Sequence, residues 1–111
     1  MTSHSNNPHP PQALKGTAIL SLCLNLPGPA ALMRCQQMGA SCVKLEPPPD
    51  VASNAAITAD PMSAYSRRAY DVLHNSIQVF TANLKTETGQ KKLQLEMAKA
   101  DVLLTSFRPS A

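Results

Sequence analysis

The feature that most constrains the fold is a series of short apolar segments separated by stretches of helix length. The first, at 18–24 (AILSLCL), is almost continuously apolar and is followed by a Pro-Gly turn. A run of this kind between turn residues is typical of a strand buried on both faces of a parallel sheet. Further runs at 41–45, 77–84 and 101–105 predict three more strands.

The segment between the first two strands predicts a helix. Pro29 suits its first turn, where the missing N–H removes no hydrogen bond, and Gly39 suits the left-handed position that ends it. Ala31, Cys35 and Met38 follow the helical period, with Leu32 beside them. We therefore expect these residues to form the apolar face of the helix.

A second helix is predicted before the last strand. Thr86 can cap its N-terminus, and the helical pattern continues to about Lys99. Leu93, Met97 and Ala100 have the spacing of an apolar face.

The two halves are joined by a long segment rich in Pro, Ala, Asn and Asp at 47–64. Loops of this length inside a domain are usually functional or disordered. Residues 63–74 then indicate a short helix with Tyr65, Ala69 and Val72 on one side.

The order βαβ, loop, βαβ predicts an α/β fold with a mainly parallel sheet of about four strands. We assign this domain to 14–111 and expect the polar, Pro-rich residues 1–13 to form a flexible tail. Ligands of such sheets bind beyond the carboxyl ends of the strands. Segments 25–29, 46–49 and 106–109 follow predicted strands, so we expect them to be ligand loops.

Composition and charge exclude several classes of function. A net charge of +3 is too small for a nucleic-acid-binding surface. No apolar run approaches the ~20 residues that span a membrane, and no signal peptide is recognisable. Cys23, Cys35 and Cys42 lack the spacing of a zinc site or a disulfide framework, so we expect no metal, reduced thiols and a cytoplasmic protein.

No catalytic constellation is visible. The first turn contains Gly28 but not the three spaced glycines of a dinucleotide-binding loop. His74 is best interpreted as a surface or hydrogen-bonded residue, and Asp101 as the junction between a helix and a strand. Arg108 and Lys85 could each be a ligand contact or a solvated cation.

Four strings resemble one family when they are taken together and in order. They are LPGPAAL at 26–32, GASCVKLEPP at 39–48, NLKTETG at 83–89 and ADVLLTSFRP at 100–109. Together they are similar to the N-terminal signature of class III CoA-transferases, the CaiB/BaiF family, which includes 2-methylacyl-CoA racemases.

The resemblance implies a Rossmann-like segment that binds CoA or acyl-CoA, and an interlocked homodimer. The transferases of this family use an Asp nucleophile to pass CoA between carboxylic acids, and the racemases move a proton with a His and an Asp. No residue of this chain matches those groups, so we expect it to be catalytically inactive alone. The resemblance places the CoA contacts in four loops, at Leu26 and Pro27; at Pro47; at Ala82, Asn83, Leu84 and Lys85; and at Ser106, Phe107 and Arg108.

Some positions depart from the family pattern. Transferases often have Gln at the position of Leu26, a basic residue at Pro47, two cations within 74–79 and Asp at Asn83. Because this Gln is missing, a second hypothesis is that the chain is the N-terminal part of a 2-methylacyl-CoA racemase. A non-catalytic CoA-binding or assembly remnant is a third hypothesis. Because four strands and two strong helices leave a sheet edge uncovered, we also expect the chain to self-associate.

Overall fold

The computed structural model describes residues 12–49 and 58–107. The predicted tail therefore lies almost wholly outside the described residues, as does Arg108. The elements in chain order are β1 (Ala18–Ser21), α1 (Pro27–Gln37), β2 (Ser41–Glu46), α2 (Pro61–Tyr65), α3 (Arg67–Leu73), β3 (Gln78–Thr81), α4 (Glu87–Lys99) and β4 (Val102–Leu104).

The four strands form one sheet in the order β3-β2-β1-β4, and every neighbouring pair is parallel. Ile19 of β1 is in register with Cys42 on one side and Val102 on the other. This confirms the predicted α/β fold. Because all strands point the same way, their carboxyl ends lie along one edge of the sheet, which we call the carboxyl edge.

Each face of the sheet has its own core. On one face, Ile19, Cys42 and Ile77 pack with Leu32 of α1. On the other, the buried side chains of β1 and β2 pack with partly buried residues of β3 and α4, among them Leu20, Leu45, Phe80 and Leu93. The alternation of Ile19 and Leu20 between faces explains why the β1 sequence is continuously apolar.

Two strands are shorter than their apolar runs. The Ser21 hydroxyl accepts a hydrogen bond from the backbone N–H of Cys23 at 3.1 Å, so the chain turns out of β1 although Leu22 and Cys23 remain buried. β3 ends at Thr81 for a similar reason, since Asn83 already belongs to the turn into α4. In these two segments the apolar residues continue past the end of the strand, so the apolar run does not show where the strand ends.

α4 begins where the sequence predicts. The Thr86 hydroxyl accepts a hydrogen bond from the Gly89 N–H at 3.0 Å. A Cβ at Gly89 would lie 1.7 Å from the carbonyl oxygen of Asn83, so only glycine lets the helix approach this turn. Gly89, which lowers helix propensity, is thus required by packing.

The predicted apolar faces of α1 and α4 are partly wrong. In α1, Leu32 is buried and Cys35 packs against the core as expected, but Ala31 is exposed and Pro29 is buried. Met97 is 44% exposed, whereas Gly89 and Glu96 are the buried residues of α4. In α4 the buried stripe is therefore rotated from the one that the apolar spacing predicts.

Segment 63–74 contains parts of two helices rather than one. Ser66 breaks the helix in an extended conformation, and its hydroxyl caps α3 by accepting from the N–H of Ala69 at 3.1 Å. The predicted face is wrong as well, because Tyr65 is 86% exposed and Val72 is 58% exposed. Tyr70 and Leu73 are buried instead and pack with Met62 of α2. Among the described residues, no helix is long and apolar enough to cross a membrane.

Candidate functional site

The residues that the resemblance nominates follow the four strands at the carboxyl edge. Leu26 and Pro27 lie at the start of α1, Pro47 directly follows β2, 82–85 links β3 to α4, and 106–107 follows β4. Arg108 lies outside the described residues. The parallel sheet therefore brings four distant parts of the sequence to one edge, three of which the sequence predicts there; the fourth, 82–85, lies there because β3 ends at Thr81.

These residues differ in accessibility. Leu26 and Phe107 are 50% and 58% exposed, and the Lys85 side chain is exposed as well. Ala82 is buried, and its N–H donates to the carbonyl oxygen of Glu46 at 2.8 Å. The side chain of Asn83 forms the turn, since its Oδ1 accepts from the Lys85 N–H at 3.0 Å. Ala82 and Asn83 thus shape the loop from which Lys85 projects.

The helix termini at this edge offer little to a phosphate group. Pro27 and Pro29 have no N–H, and the N–H of Ala30 is bonded to the Leu26 carbonyl at 2.9 Å. Glu87 lies in the first turn of α4, where its carboxylate disfavours an anion. Phosphate recognition at these described loops would therefore depend on cationic side chains, of which Lys85 is one.

Gly28 has a packing role rather than a ligand role. A Cβ at this position would lie 2.1 Å from the Cβ of Cys23, so a side chain would separate α1 from the end of β1. The glycine of the first turn thus fixes the start of α1 against the chain that leaves β1.

Two surface grooves lie at the nominated residues: one of about 390 Å³ between Leu26 and α3, and one of about 360 Å³ beside Ala82 and Asn83 at the start of α4. A groove of larger volume, about 740 Å³, runs between the C-terminal half of α1 and α3, with Met33 and Arg68 among its lining residues. No nominated residue lines this larger groove.

A cluster of buried charges lies where β2 reaches the carboxyl edge. Lys44 and Asp60 are fully buried, and Glu46 is 2% exposed. The Lys44 ammonium donates to Asp60 Oδ2 at 2.5 Å and to His74 Nε2 at 2.7 Å, and it forms an ion pair with Glu46 Oε2 at 3.0 Å. The Tyr70 hydroxyl completes this buried ion cluster by donating to Glu46 Oε2 at 2.8 Å. The buried ammonium of Lys44 therefore has three polar partners, two of them carboxylates.

The hydrogen bonds define the state of His74. Its Nδ1 lies 2.7 Å from the carbonyl oxygen of Tyr70, which can only accept, so Nδ1 carries the proton and Nε2 accepts from Lys44. Burial and the neighbouring ammonium lower the pKa of His74, against the opposite effect of the Tyr70 carbonyl and the carboxylates. The interpretation of His74 as a hydrogen-bonded residue is confirmed.

The two acidic groups of the cluster are not free. Burial opposes ionisation of Asp60, but hydrogen bonds from Lys44 and the N–H groups of Met62 and Asn25 outweigh it and hold its pKa below the usual value. Burial and the bond to Glu46 raise the pKa of the Tyr70 phenol. One ligand atom each of Glu46, Asp60 and His74 lies within 4.8 Å of the others, as in a metal site, but the Lys44 ammonium already binds all three.

Sequence reasoning missed this cluster, although one signal was present. Lys44 and Glu46 occupy positions i and i+2 of a strand whose other residues from Cys42 onward are apolar. Two charges on one face of such a strand must be paired, because an isolated buried charge is very unfavourable. Asp60 and Tyr70 carried no comparable signal, since both come from the segment between β2 and β3.

The comparison with protein families decides the relationship. The model of CoA-transferase family III matches residues 14–111. The chain belongs to this family. The match spans the whole described sheet and all four loops of the carboxyl edge.

Two curated CoA-transferases are similar in sequence. Cinnamoyl-CoA:phenyllactate CoA-transferase of Clostridium sporogenes is 31% identical over 98 residues, which cover 86% of this chain and 24% of the relative. Succinyl-CoA–D-citramalate CoA-transferase of Chloroflexus aurantiacus is 29% identical over 107 residues, covering 90% and 25%. The chain thus spans about a quarter of the length of these CoA-transferases.

Solved structures share the fold. A CaiB/BaiF family protein from Brucella suis superimposes with a TM-score of 0.70 at 22% identity, over 88% of this chain and 26% of that one. A hypothetical protein from Mycobacterium tuberculosis gives a TM-score of 0.65 at 24% identity, over 93% and 27%. The four-stranded parallel sheet is therefore the arrangement found in these neighbours.

Proposed function

We propose that this chain supplies the N-terminal, CoA-binding part of a class III CoA-transferase-like enzyme, which moves CoA between carboxylic acids in acyl-CoA metabolism. The observation that carries the proposal is the convergence of the four nominated loops at one edge of a parallel sheet. The binding partner is CoA or an acyl-CoA, and the assembly is the interlocked homodimer that the family implies. The free thiols of Cys23, Cys35 and Cys42 suit a reducing cytoplasm.

The nucleophile of the reaction comes from residues other than the acidic groups that the structure describes at this edge. Glu46 and Asp60 are buried and bound to Lys44, so neither carboxylate can attack an acyl-CoA. Glu87 is exposed but lies 3.5 Å from the Lys91 ammonium on a solvent-facing helix turn, outside any enclosed site. The purified chain is accordingly expected to transfer no CoA by itself.

Two alternatives use the same edge. In the N-terminal part of a 2-methylacyl-CoA racemase, the half-exposed apolar Leu26 would contact the acyl group, where transferases often have Gln. In a non-catalytic remnant, CoA binding or assembly would persist without chemistry. CoA affinity is expected of the transferase, of the racemase and of a CoA-binding remnant, and only a pure assembly remnant would lack it, so it is the first property to measure.

Lys85 gives the sharpest test of CoA binding. Its side chain is exposed at the nominated loop, and no described carboxylate lies within ion-pair distance of it. A charge-assisted hydrogen bond to a phosphate contributes roughly 1.5 kcal/mol or more, so Lys85→Met is expected to weaken CoA binding about tenfold in calorimetric titration.

Lys91→Met is the matched control, because Lys91 is an exposed lysine further along α4 whose ion-pair partner among the described residues is Glu87. Its CoA affinity is expected to equal that of the unaltered chain. Absence of heat at millimolar CoA, or equal losses in both variants, would contradict the proposal.

A further inference from the structure

The buried ion cluster is connected to the first loop of the carboxyl edge by a single carboxylate. Oδ2 of Asp60 accepts from the Lys44 ammonium at 2.5 Å, while Oδ1 accepts from the backbone N–H of Asn25 at 2.8 Å. Oδ1 also accepts from the N–H of Met62 at 3.0 Å and so caps α2. Asp60 thus joins β2, α2 and the loop between β1 and α1.

Asn25 has an unusual backbone conformation at this contact. Its φ is +73°, in the left-handed region that residues other than glycine seldom adopt, although Asn tolerates it better than most. The next residue is Leu26, which has no side-chain cap and leads directly into the two prolines of α1. The bond from Asn25 to Asp60 therefore holds a conformationally disfavoured residue immediately before the nominated contact Leu26.

The orientation of Asp60 is fixed in turn. Asp60 is completely buried, and the Lys44 ammonium that binds it is restrained by His74 and Glu46. Rotation of the carboxylate toward solvent would leave the ammonium without one acceptor inside the protein, which is strongly unfavourable. The cluster therefore restrains the carboxylate from the side opposite to the loop.

We propose that Lys44 and Asp60 are positioning residues for ligand binding: through the Asp60 carboxylate they hold the Asn25–Leu26 loop in its binding conformation. This inference rests on the proposed function, because it assigns the loop to the CoA site. Neither residue touches the ligand. Their effect passes through the backbone N–H of Asn25, so it is measurable even when CoA is absent.

Asp60→Ser isolates the effect. Serine is a good N-cap, so α2 keeps its cap at Met62, but one short hydroxyl cannot bind both Lys44 and Asn25. Amide hydrogen exchange by NMR is expected to show Asn25 exchanging at least about tenfold faster relative to the amides of β1. CoA affinity, measured by calorimetry, is expected to fall several-fold.

Ser66→Ala is the control for general destabilisation. It removes the cap of α3 without contacting Asn25. The exchange of Asn25 relative to β1 is expected to stay unchanged. Equal acceleration in the two variants, or none in Asp60→Ser, would overturn the proposal.

Asp60→Asn keeps the test decisive if the serine variant does not fold. The amide oxygen can still accept from Asn25, but a neutral acceptor binds about half as strongly as a carboxylate. Asn25 exchange is expected to rise less than in the serine variant, and an unchanged rate would again overturn the proposal.

If Asn25 exchanges faster in the variants while the unaltered chain binds no CoA, the assignment of the loop to a CoA site fails and the positioning of the loop stands. If the unaltered chain binds CoA and a loosened loop leaves that affinity unchanged, the role in ligand binding is overturned.

Discussion

Two parts of the sheet distribute charge and hydrophobicity in opposite ways: the region of the buried ion cluster beside the inner strand β2, which we call the closed end, and the edge strand β4, which we call the open end. Beside β2, Lys44, Glu46 and Asp60 are buried and fully paired. At the β4 end, Val102 and Leu103 are each 44% exposed, although they belong to a strand. Polarity alone therefore does not tell which side chains are buried in this chain, because the connections between strands decide it.

The physical difference is one of closure. The segment between β2 and β3 folds back as α2 and α3, and its Asp60, Tyr70 and His74 supply the partners that let Lys44 be buried. Beyond β4, no described element covers the outer edge, so apolar side chains remain accessible. Exposed apolar residues on an edge strand favour association with another chain.

The closed end is expected to be the more sensitive to substitution, and Lys44→Met should show the largest effect. Removal of the ammonium leaves Glu46 and Asp60 as buried carboxylates without a cation. Breaking one partner of a buried ion pair typically lowers the free energy of unfolding by about 3–5 kcal/mol. Because a small domain is stable by only about 5–15 kcal/mol, we expect a much lower melting temperature or an unfolded chain.

Lys91→Met provides the comparison, since its pair with Glu87 is exposed at both ends. Surface pairs of this kind contribute about 0–1 kcal/mol, so thermal unfolding should hardly change. Similar melting temperatures for the two variants would show that the buried ion cluster is not a source of stability.

The contrast also explains what could be predicted from the sequence. The apolar runs, the Thr86 cap and the Pro-Gly turn are local, and they predicted that these elements exist, although β1 and β3 are shorter than their runs. The parallel order followed from the alternation of strands and helices. Three loops at one edge followed in turn, because parallel strands end on the same side.

The predictions that depend on long-range packing were wrong or absent. Tyr65 and Tyr70 fit helical spacing equally well, but only Tyr70 lies above Glu46, whose carboxylate accepts its hydroxyl proton. Met97 has the spacing of a core residue, yet Glu96 is buried instead because Lys92 and Lys99 pair with it. Such choices depend on which element packs opposite, and local spacing carries no information about that.

Lowering the pH should destabilise the closed end before the open end. His74 faces Lys44 and Glu46 from β2, Asp60 from the start of α2 and Tyr70 on its own helix. Its pKa in the folded chain lies below the ordinary 6.5, so the stability linked to the neutral ring is complete above that pH. It is lost progressively as the pH falls through the lowered pKa of the folded state.

Urea unfolding between pH 7.5 and 5 measures this loss. One proton gives a slope of at most about 1.4 kcal/mol per pH unit, a smaller effect than loss of the ammonium. His74→Gln should flatten the slope below pH 6.5, whereas His9→Gln should leave it unchanged. A steeper or unaltered slope in His74→Gln would assign the acid sensitivity to another group.

The alkaline side has a separate cause. Burial raises the pKa of Cys42 from 9.0 to about 11, with a smaller contribution from Cys35. Stability linked to the neutral thiol is therefore lost as the pH rises above 9.0. Because of His74 and Cys42, the free energy of unfolding is expected to be highest between the ordinary pKa values of His and Cys.

At the open end, one substitution should hardly change the free energy of unfolding but should clearly change self-association. Leu103 is exposed beside β1, so Leu103→Lys adds a solvated charge and should alter the free energy of unfolding by less than about 0.5 kcal/mol. A lysine on an edge strand opposes pairing with a second edge.

Sedimentation velocity should show the unaltered chain self-associating and Leu103→Lys shifted toward monomer. Val72→Lys, at an apolar residue on α3 that is 58% exposed, should not shift it. If both variants dissociate alike, association follows general hydrophobicity and the β4 edge has no special part in it; a monomeric unaltered chain would mean that its exposed apolar residues are too few to hold two copies together.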